Sequence, residues 1–276
     1  MLTPGTIIND RYVIQTNIGQ GGAGTVYRAL DQRSGDVVAL KHVSAAPGAS
    51  AQLTHEARLL ASLSHPALPK VTDYFIEPAG QFLAMDYVPG QDLGRLAARP
   101  AVSVALDWSG QLINVVEYLH SRQPPFIHRD IKPDNLKITP GNRLMLLDFG
   151  LAKGPASQHP ATLSVAGYTP QYAPLEQIQG QGTTYRSDYY ALAATIYQLL
   201  AGAPPADALT RAAAVIRQQP DPLIRPAGLN PALGADLDGA LCGYLALNVD
   251  ARPASLAPLK AAIARHAEPG PAAASS

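Results

Sequence analysis

Apolar and polar positions change their period several times along the chain. From Tyr12 to Lys41 the runs are short and rich in β-branched residues: Tyr12-Val13-Ile14, then Thr25-Val26-Tyr27 after a glycine-rich stretch, then Val37-Val38-Ala39-Leu40-Lys41 after a polar turn at Asp31 to Gly35. That pattern predicts strands joined by tight turns. Leu53, Leu60 and Leu63 then fall at helical spacing, and His65-Pro66 ends that helix because the residue before proline avoids helical angles. Two more strand-like runs follow, Val71 to Ile76 and Phe82 to Val88, with Pro78-Ala79-Gly80 between them.

Beyond residue 88 the period becomes helical. Leu112, Val115, Val116 and Leu119 share one face, and Pro124-Pro125 breaks that helix. Leu136-Lys137-Ile138 and Leu144 to Leu147 flank Pro140-Gly141-Asn142 as a small hairpin. The run Ser187 to Leu200 is apolar nearly all round and stops at Gly202 and Pro204, so it predicts a helix buried inside its domain. Further helices are predicted over 207–218, 232–247 and 256–266, and residues 267–276 are Ala, Pro and Ser rich in the manner of a disordered tail or linker. Strands first and helices afterwards make an α+β protein.

Composition narrows the function classes. The chain has 276 residues, 47% of them hydrophobic, enough for a substantial core. Lys plus Arg and Asp plus Glu are equal at 21 each, so no bulk attraction to nucleic acid or a membrane surface is expected. A single cysteine, Cys242, rules out an intrachain disulfide and suits a reducing compartment, with its thiol expected to be buried and inert. No apolar run is long enough to span a bilayer and the first residues lack a signal-peptide pattern, so the expected location is the cytoplasm.

The densest chemistry lies in His128-Arg129-Asp130-Ile131-Lys132-Pro133-Asp134-Asn135. Asp130 can accept a proton from an attacking hydroxyl, Lys132 can offset charge on a transferring group, and Asn135 offers a carbonyl oxygen to a hard metal ion. Ile18-Gly19-Gln20-Gly21-Gly22-Ala23-Gly24 precedes Thr25-Val26-Tyr27, which prefers a strand; a dinucleotide fold needs a helix there. A hairpin folded over nucleotide phosphates is the better reading, with Gly19, Gly21 and Gly24 admitting phosphates to the backbone; such a hairpin resembles the glycine loop of protein kinases, which implies that Val26 and Ala39 face adenine.

These motifs, in this order and followed by Asp148-Phe149-Gly150, resemble the eukaryotic-like (Hanks-type) serine/threonine protein kinases, in the form of a bacterial member. The resemblance covers about residues 11 to 266. It implies a two-lobed kinase fold, with a small antiparallel β-rich N-lobe carrying one helix (11–87), a large mainly helical C-lobe (88–266) and a tail (267–276). It implies ATP and Mg²⁺ as cofactors, with Mn²⁺ as an alternative metal. Ile18 joins the glycines at the nucleotide, and Lys41 holds the α- and β-phosphates while paired with Glu56 from the following helix. Met85 guards the inner pocket, Asp86 to Val88 meet the adenine edge, and Asp92 takes a ribose hydroxyl. Asn135 and Asp148 hold the metal, Asp130 serves as base, and Lys132 steadies the γ-phosphate.

Two departures stand out. Lys137 occupies a position usually apolar in the family beneath the adenine, where its methylene stem could cover the ring; the usual Ala-Pro-Glu appears as Ala173-Pro174-Leu175-Glu176. Glu176 is expected to pair with Arg252. The resemblance further implies an activation segment from Asp148 to Glu176 with phosphorylation at Thr162 or Ser164, received by Arg129 and Lys153, and with Thr169 held near Asp130 and Lys132. Partners implied are proteins bearing Ser or Thr, and a homodimer for trans-autophosphorylation; a longer, membrane-anchored protein is compatible. A catalytically silent scaffold and a small-molecule phosphotransferase are the rival readings.

Overall fold

The computed structural model describes residues 1–21, 24–43, 60–148 and 169–267. Contacts divide the chain into two compact units, one of Met1–Gln91 with Lys137–Pro155 and one of Asp92–Leu136 with Ala156–Ser276. This division differs from a single cut between residues 87 and 88. Two contacts tie the 137–146 hairpin to the first unit. The Leu146 N–H donates to the Ala67 carbonyl at 2.8 Å, and Gly90 comes so close to Ile138 that a Cβ there would collide with its carbonyl oxygen.

The first unit is built on a six-stranded sheet: β1 (Ile7–Ile8), β2 (Tyr12–Gly21), β3 (Gly24–Asp31), β4 (Val37–Val43), β5 (Val71–Glu77) and β6 (Gly80–Asp86). Spatial order is β1-β2-β3-β4-β6-β5, and each of its neighbouring pairs runs antiparallel. Because side chains alternate across a pleated strand, one register sorts them into two sets. Tyr12, Ile14, Tyr27, Ala29, Val38, Leu40, Phe82 and Ala84 form the buried core. Val26, Ala39, Lys41, Leu83 and Met85 alternate with them onto the opposite face, through the pairings Val26↔Lys41, Lys41↔Leu83 and Ala39↔Met85. At the sheet's edge Arg11 donates two hydrogen bonds to Asp31 (2.7 and 2.6 Å) and a third to Asp73 at 2.9 Å. That guanidinium holds the Asp31 carboxyl down at about 2.

Of the helix expected over 52–63 only its last turn, at Leu60 and Ala61, falls among the described residues, with Leu60 and Leu63 buried. The expected hairpin is present as β8 (Leu136–Ile138) and β9 (Leu144–Leu146).

The second unit surrounds the helix Tyr185–Ala201. Thr184 and Ser187 form a reciprocal capping box at its start, and Gly202 at φ 85° closes it. Buried residues run all round it, from Ser187 to Ala201 with Gln198 alone left partly accessible. Helices Val102–His120, Pro226–Leu229 and Ala235–Tyr244 pack against it. Helices Ala208–Ile216, Ala235–Tyr244 and Ala257–Ala267 stand where the sequence pattern expected them, the last extending one residue past the expected end at 266. Cys242 is half-buried, and burial pushes its thiol up, which makes it a poor nucleophile. Among the described residues no helix is long and apolar enough to cross a membrane.

Candidate active site

The first unit gathers most of the residues expected to meet a nucleotide, Asp92 being in the second. Gly19 and Gly21 lie in β2, opposite Val26 and Gly24 of β3. Gly19 faces open space where a Cβ would be, but its N–H donates to Asn17 Oδ1 at 3.0 Å. Gly24 has another reason to be glycine. Its φ is 122°, and a Cβ would collide with the His42 carbonyl oxygen of β4. The third glycine therefore answers to strand packing as much as to phosphate access.

Ala39 and Met85 sit side by side across β4 and β6, and Val26 stands opposite Lys41. Ile18 is 41% exposed. The Asp86 N–H and side chain are both engaged with the Lys70 backbone, at 3.0 Å each. Val88 is buried, and its carbonyl accepts from Lys137 Nζ at 3.3 Å. Lys41 is 3% exposed, and its ammonium is paired with the Asp148 carboxylate. A buried ammonium needs such a partner. Asp148 itself has φ 54°, a left-handed backbone that side chains adopt at a cost and that clusters at functional sites. Glu56, the partner expected for Lys41, lies outside the described residues, as do Lys153, Thr162 and Ser164.

A polar groove of about 820 Å³ also opens on this unit, lined by residues that include Arg11, Asp31, His65, Lys70 and Arg143. It contains neither Lys41 nor Asp148 and presents mixed charge, so it is a poor match to a polyphosphate.

The second unit holds the loop His128–Asn135, and its anchor is buried. Asp188 is fully enclosed; it accepts from the His128 N–H, the Arg129 N–H and His120 Nε2, each at 2.8 Å. Burial alone would push this carboxyl up, yet the His120 bond and the backbone donors bring it below its ordinary value. Arg129, at φ 69°, gives its carbonyl to Gln177 Nε2 at 2.9 Å. With the backbone fixed on both sides of Arg129, the next residues are set. Lys132 Nζ lies 3.1 Å from Asp130 Oδ2 and 3.0 Å from Thr169 Oγ1. Asn135 Nδ2 donates to the Asp130 carbonyl at 2.7 Å and to its Oδ2 at 3.0 Å, so its side-chain oxygen is the atom suited to a hard cation. Among the described residues no group of three or more His, Cys, Asp or Glu could hold a metal. Asp92, expected at the ribose, ends strand β7 (Gln91–Asp92) with its carboxylate 3.6 Å from Arg95.

Below the loop, Arg252 makes two hydrogen bonds to Glu176 at 2.7 and 3.0 Å and bonds the carbonyls of Ala246, Arg186 and Leu247. Ser187 adds a bond to the same Glu176 oxygen at 2.8 Å. His120 and Gln177 escaped the sequence reading. Their contacts join positions 68 and 48 residues apart, which no local pattern encodes.

A family profile for the protein kinase domain matches residues 12–227. The chain belongs to the protein kinase family. It is 33% identical over 267 residues to the DNA damage-responsive serine/threonine-protein kinase RqkA of Deinococcus radiodurans, covering 94% of this chain and 40% of that protein. It is 31% identical over 282 residues to the serine/threonine-protein kinase PknB of Mycobacterium tuberculosis, covering 96% and 44%. The chain thus spans less than half the length of these relatives. A solved structure described as the PpkA-294 apo form superposes with a TM-score of 0.76 at 26% identity, covering 97% of this chain and 99% of that one. The β-rich first unit and helical second unit are those of the two-lobed kinase fold, and its relatives place the chain among the bacterial Hanks-type kinases. Kinases of this family use ATP and divalent metal.

Proposed function

We propose that this chain transfers the γ-phosphate of ATP to serine and threonine hydroxyls of proteins. One observation carries the reading: Lys132 Nζ bridges the Asp130 carboxylate and the Thr169 hydroxyl at 3.1 and 3.0 Å. A hydroxyl, a carboxylate base and an ammonium are the groups a phosphoryl transfer to an alcohol requires. An incoming hydroxyl gives its proton to Asp130 as its oxygen attacks the γ-phosphorus and the bond to the bridging β-phosphate oxygen breaks, releasing ADP. Lys132 offsets the charge that spreads over the transferring group. On the first unit Lys41 holds the phosphates, Val26 and Ala39 cover the purine, and the Tyr87 and Val88 backbones meet its edge.

Asn135 of the second unit and Asp148 of the first each offer a hard oxygen of the kind Mg²⁺ prefers, with Mn²⁺ as an alternative; they would hold the ion, which would supply charge neutralisation at the phosphates. Glu56 remains the proposed second partner of Lys41. Autophosphorylation at Thr162 or Ser164, in trans within a homodimer, is part of the same proposal, as is a cytoplasmic location consistent with a single, poorly nucleophilic cysteine.

Incubation of the chain with ATP and Mg²⁺, followed by phosphopeptide mass spectrometry, tests this reading. Phosphoserine and phosphothreonine on the chain or on added protein are expected. ATP bound without any phosphate transferred would favour the silent scaffold, and transfer to an aminoglycoside or choline without transfer to peptides would favour the small-molecule enzyme.

A further inference from the structure

Lys137 is the central residue of β8, half-buried, in a position where its Nζ donates to the Val88 carbonyl at 3.3 Å. The backbones on either side are pressed together, since Gly90 at φ 137° leaves no room for a Cβ beside the Ile138 carbonyl. The fold therefore holds the lysine within reach of that carbonyl. Strand β6 ends at Asp86, so Tyr87 and Val88 leave the ladder with β4 and can turn their peptide groups to a ligand. The Asp86 N–H is already given to Lys70, so it is not offered to a ligand, and the edge is met from Tyr87 and Val88 onward.

An ammonium carries donors and no acceptor. Placed on the Val88 carbonyl, it takes up part of that acceptor and puts positive charge against whatever edge arrives there. Adenine presents an unprotonated ring nitrogen with a C–H beside it. Guanine presents a ring N–H and an exocyclic amine at the same places, and both are donors. Those donors would need the Val88 carbonyl and would crowd the ammonium to reach it. In a site closed to water, donor facing donor is expensive.

We infer that Lys137 is a base-specificity residue that selects adenine over guanine nucleotides by occupying the Val88 carbonyl. The inference rests on the proposed nucleotide role of the first unit. It also accounts for a lysine where the family usually places an apolar side chain: the stem still covers the ring while the charged end edits the edge. If the stem alone mattered, both purines would respond equally to its replacement.

The test is calorimetric titration of the whole chain with ATP and with GTP, Mg²⁺ present in both, for the wild type, Lys137→Met and Lys137→Gln. The wild type is expected to bind ATP more tightly than GTP. The ratio of GTP to ATP dissociation constants is expected to fall about tenfold in Lys137→Met, the scale of one lost repulsive contact. Lys137→Gln keeps an amide donor for Val88 without the charge and should fall by a smaller factor, about threefold. Thermal melting confirms that each variant is folded, and the Gln variant decides alone if the Met variant is not. An unchanged ratio with ATP still bound overturns this inference and leaves the nucleotide site standing. A wild type that binds no ATP overturns both.

Discussion

The two units hold their candidate chemistry by different means. In the first, the pleat does the positioning: Val26, Ala39, Lys41 and Met85 share a face because their strands pair in one register with the core on the other side. In the second, side chains hold backbone: Asp188 grips two amides of the loop, Gln177 a carbonyl, and Asn135 another. A sheet face is specified by local alternation and tolerates many side chains. A loop held by buried polar groups depends on a few residues far apart in sequence, and each is costly to lose.

The largest effect expected from that contrast is at Glu176. Its removal in Glu176→Ala would leave Arg252, which is 2% exposed, without its carboxylate, at a cost of about 3–5 kcal/mol. Scanning calorimetry should show a strong loss in the melting of the second unit. A shift within error would mean that the three carbonyls around Arg252 suffice to hold it.

In the first unit the sharpest single substitution is Gly24→Ala, because it requires a positive φ and collides with backbone. The expected loss is about 1–3 kcal/mol, read by urea unfolding. Because the first unit relies on backbone register, Val26→Ile two residues further along the same strand should cost far less, about 1 kcal/mol or below. Equal losses would dissolve the distinction.

The smallest expected effect is a dependence on acid. The folded-state value of Asp31 is depressed to about 2 from 3.8, so its contribution is fully present above the ordinary value and disappears as pH falls through the folded one. Asp188 shifts in the same direction, so the second unit should also weaken in acid. Asp31→Asn should flatten the stability profile of the first unit between about pH 4 and pH 2, followed by circular dichroism melts. A profile as steep as that of the wild type would show that Arg11 gains nothing from the Asp31 charge.

Legibility in the sequence follows the same division. The strands of the first unit could be read because alternation is local, and the loop from His128 to Asn135 because so many functional groups crowd together. The Glu176 and Arg252 couple could be anticipated only through the family pattern, since 76 residues separate them. The partnership of Lys41 with Asp148 crosses 107 residues. The reason for Gly24 lay in a neighbouring strand's carbonyl, which no spacing of glycines reveals. The departure at Lys137 was visible as a residue type, but its bond to Val88 required the fold.

The central proposal is that Lys41 in the first unit holds the nucleotide's phosphates and Asp130 in the second takes the proton of the attacking hydroxyl. The most direct measurement is γ-phosphate transfer to a serine- and threonine-containing protein by Asp130→Asn at saturating ATP. Transfer should fall by about 10²–10⁴-fold, the range for a positioned base, while ATP still saturates the variant near the wild-type concentration. Undiminished transfer would remove Asp130 from the chemistry and contradict the account.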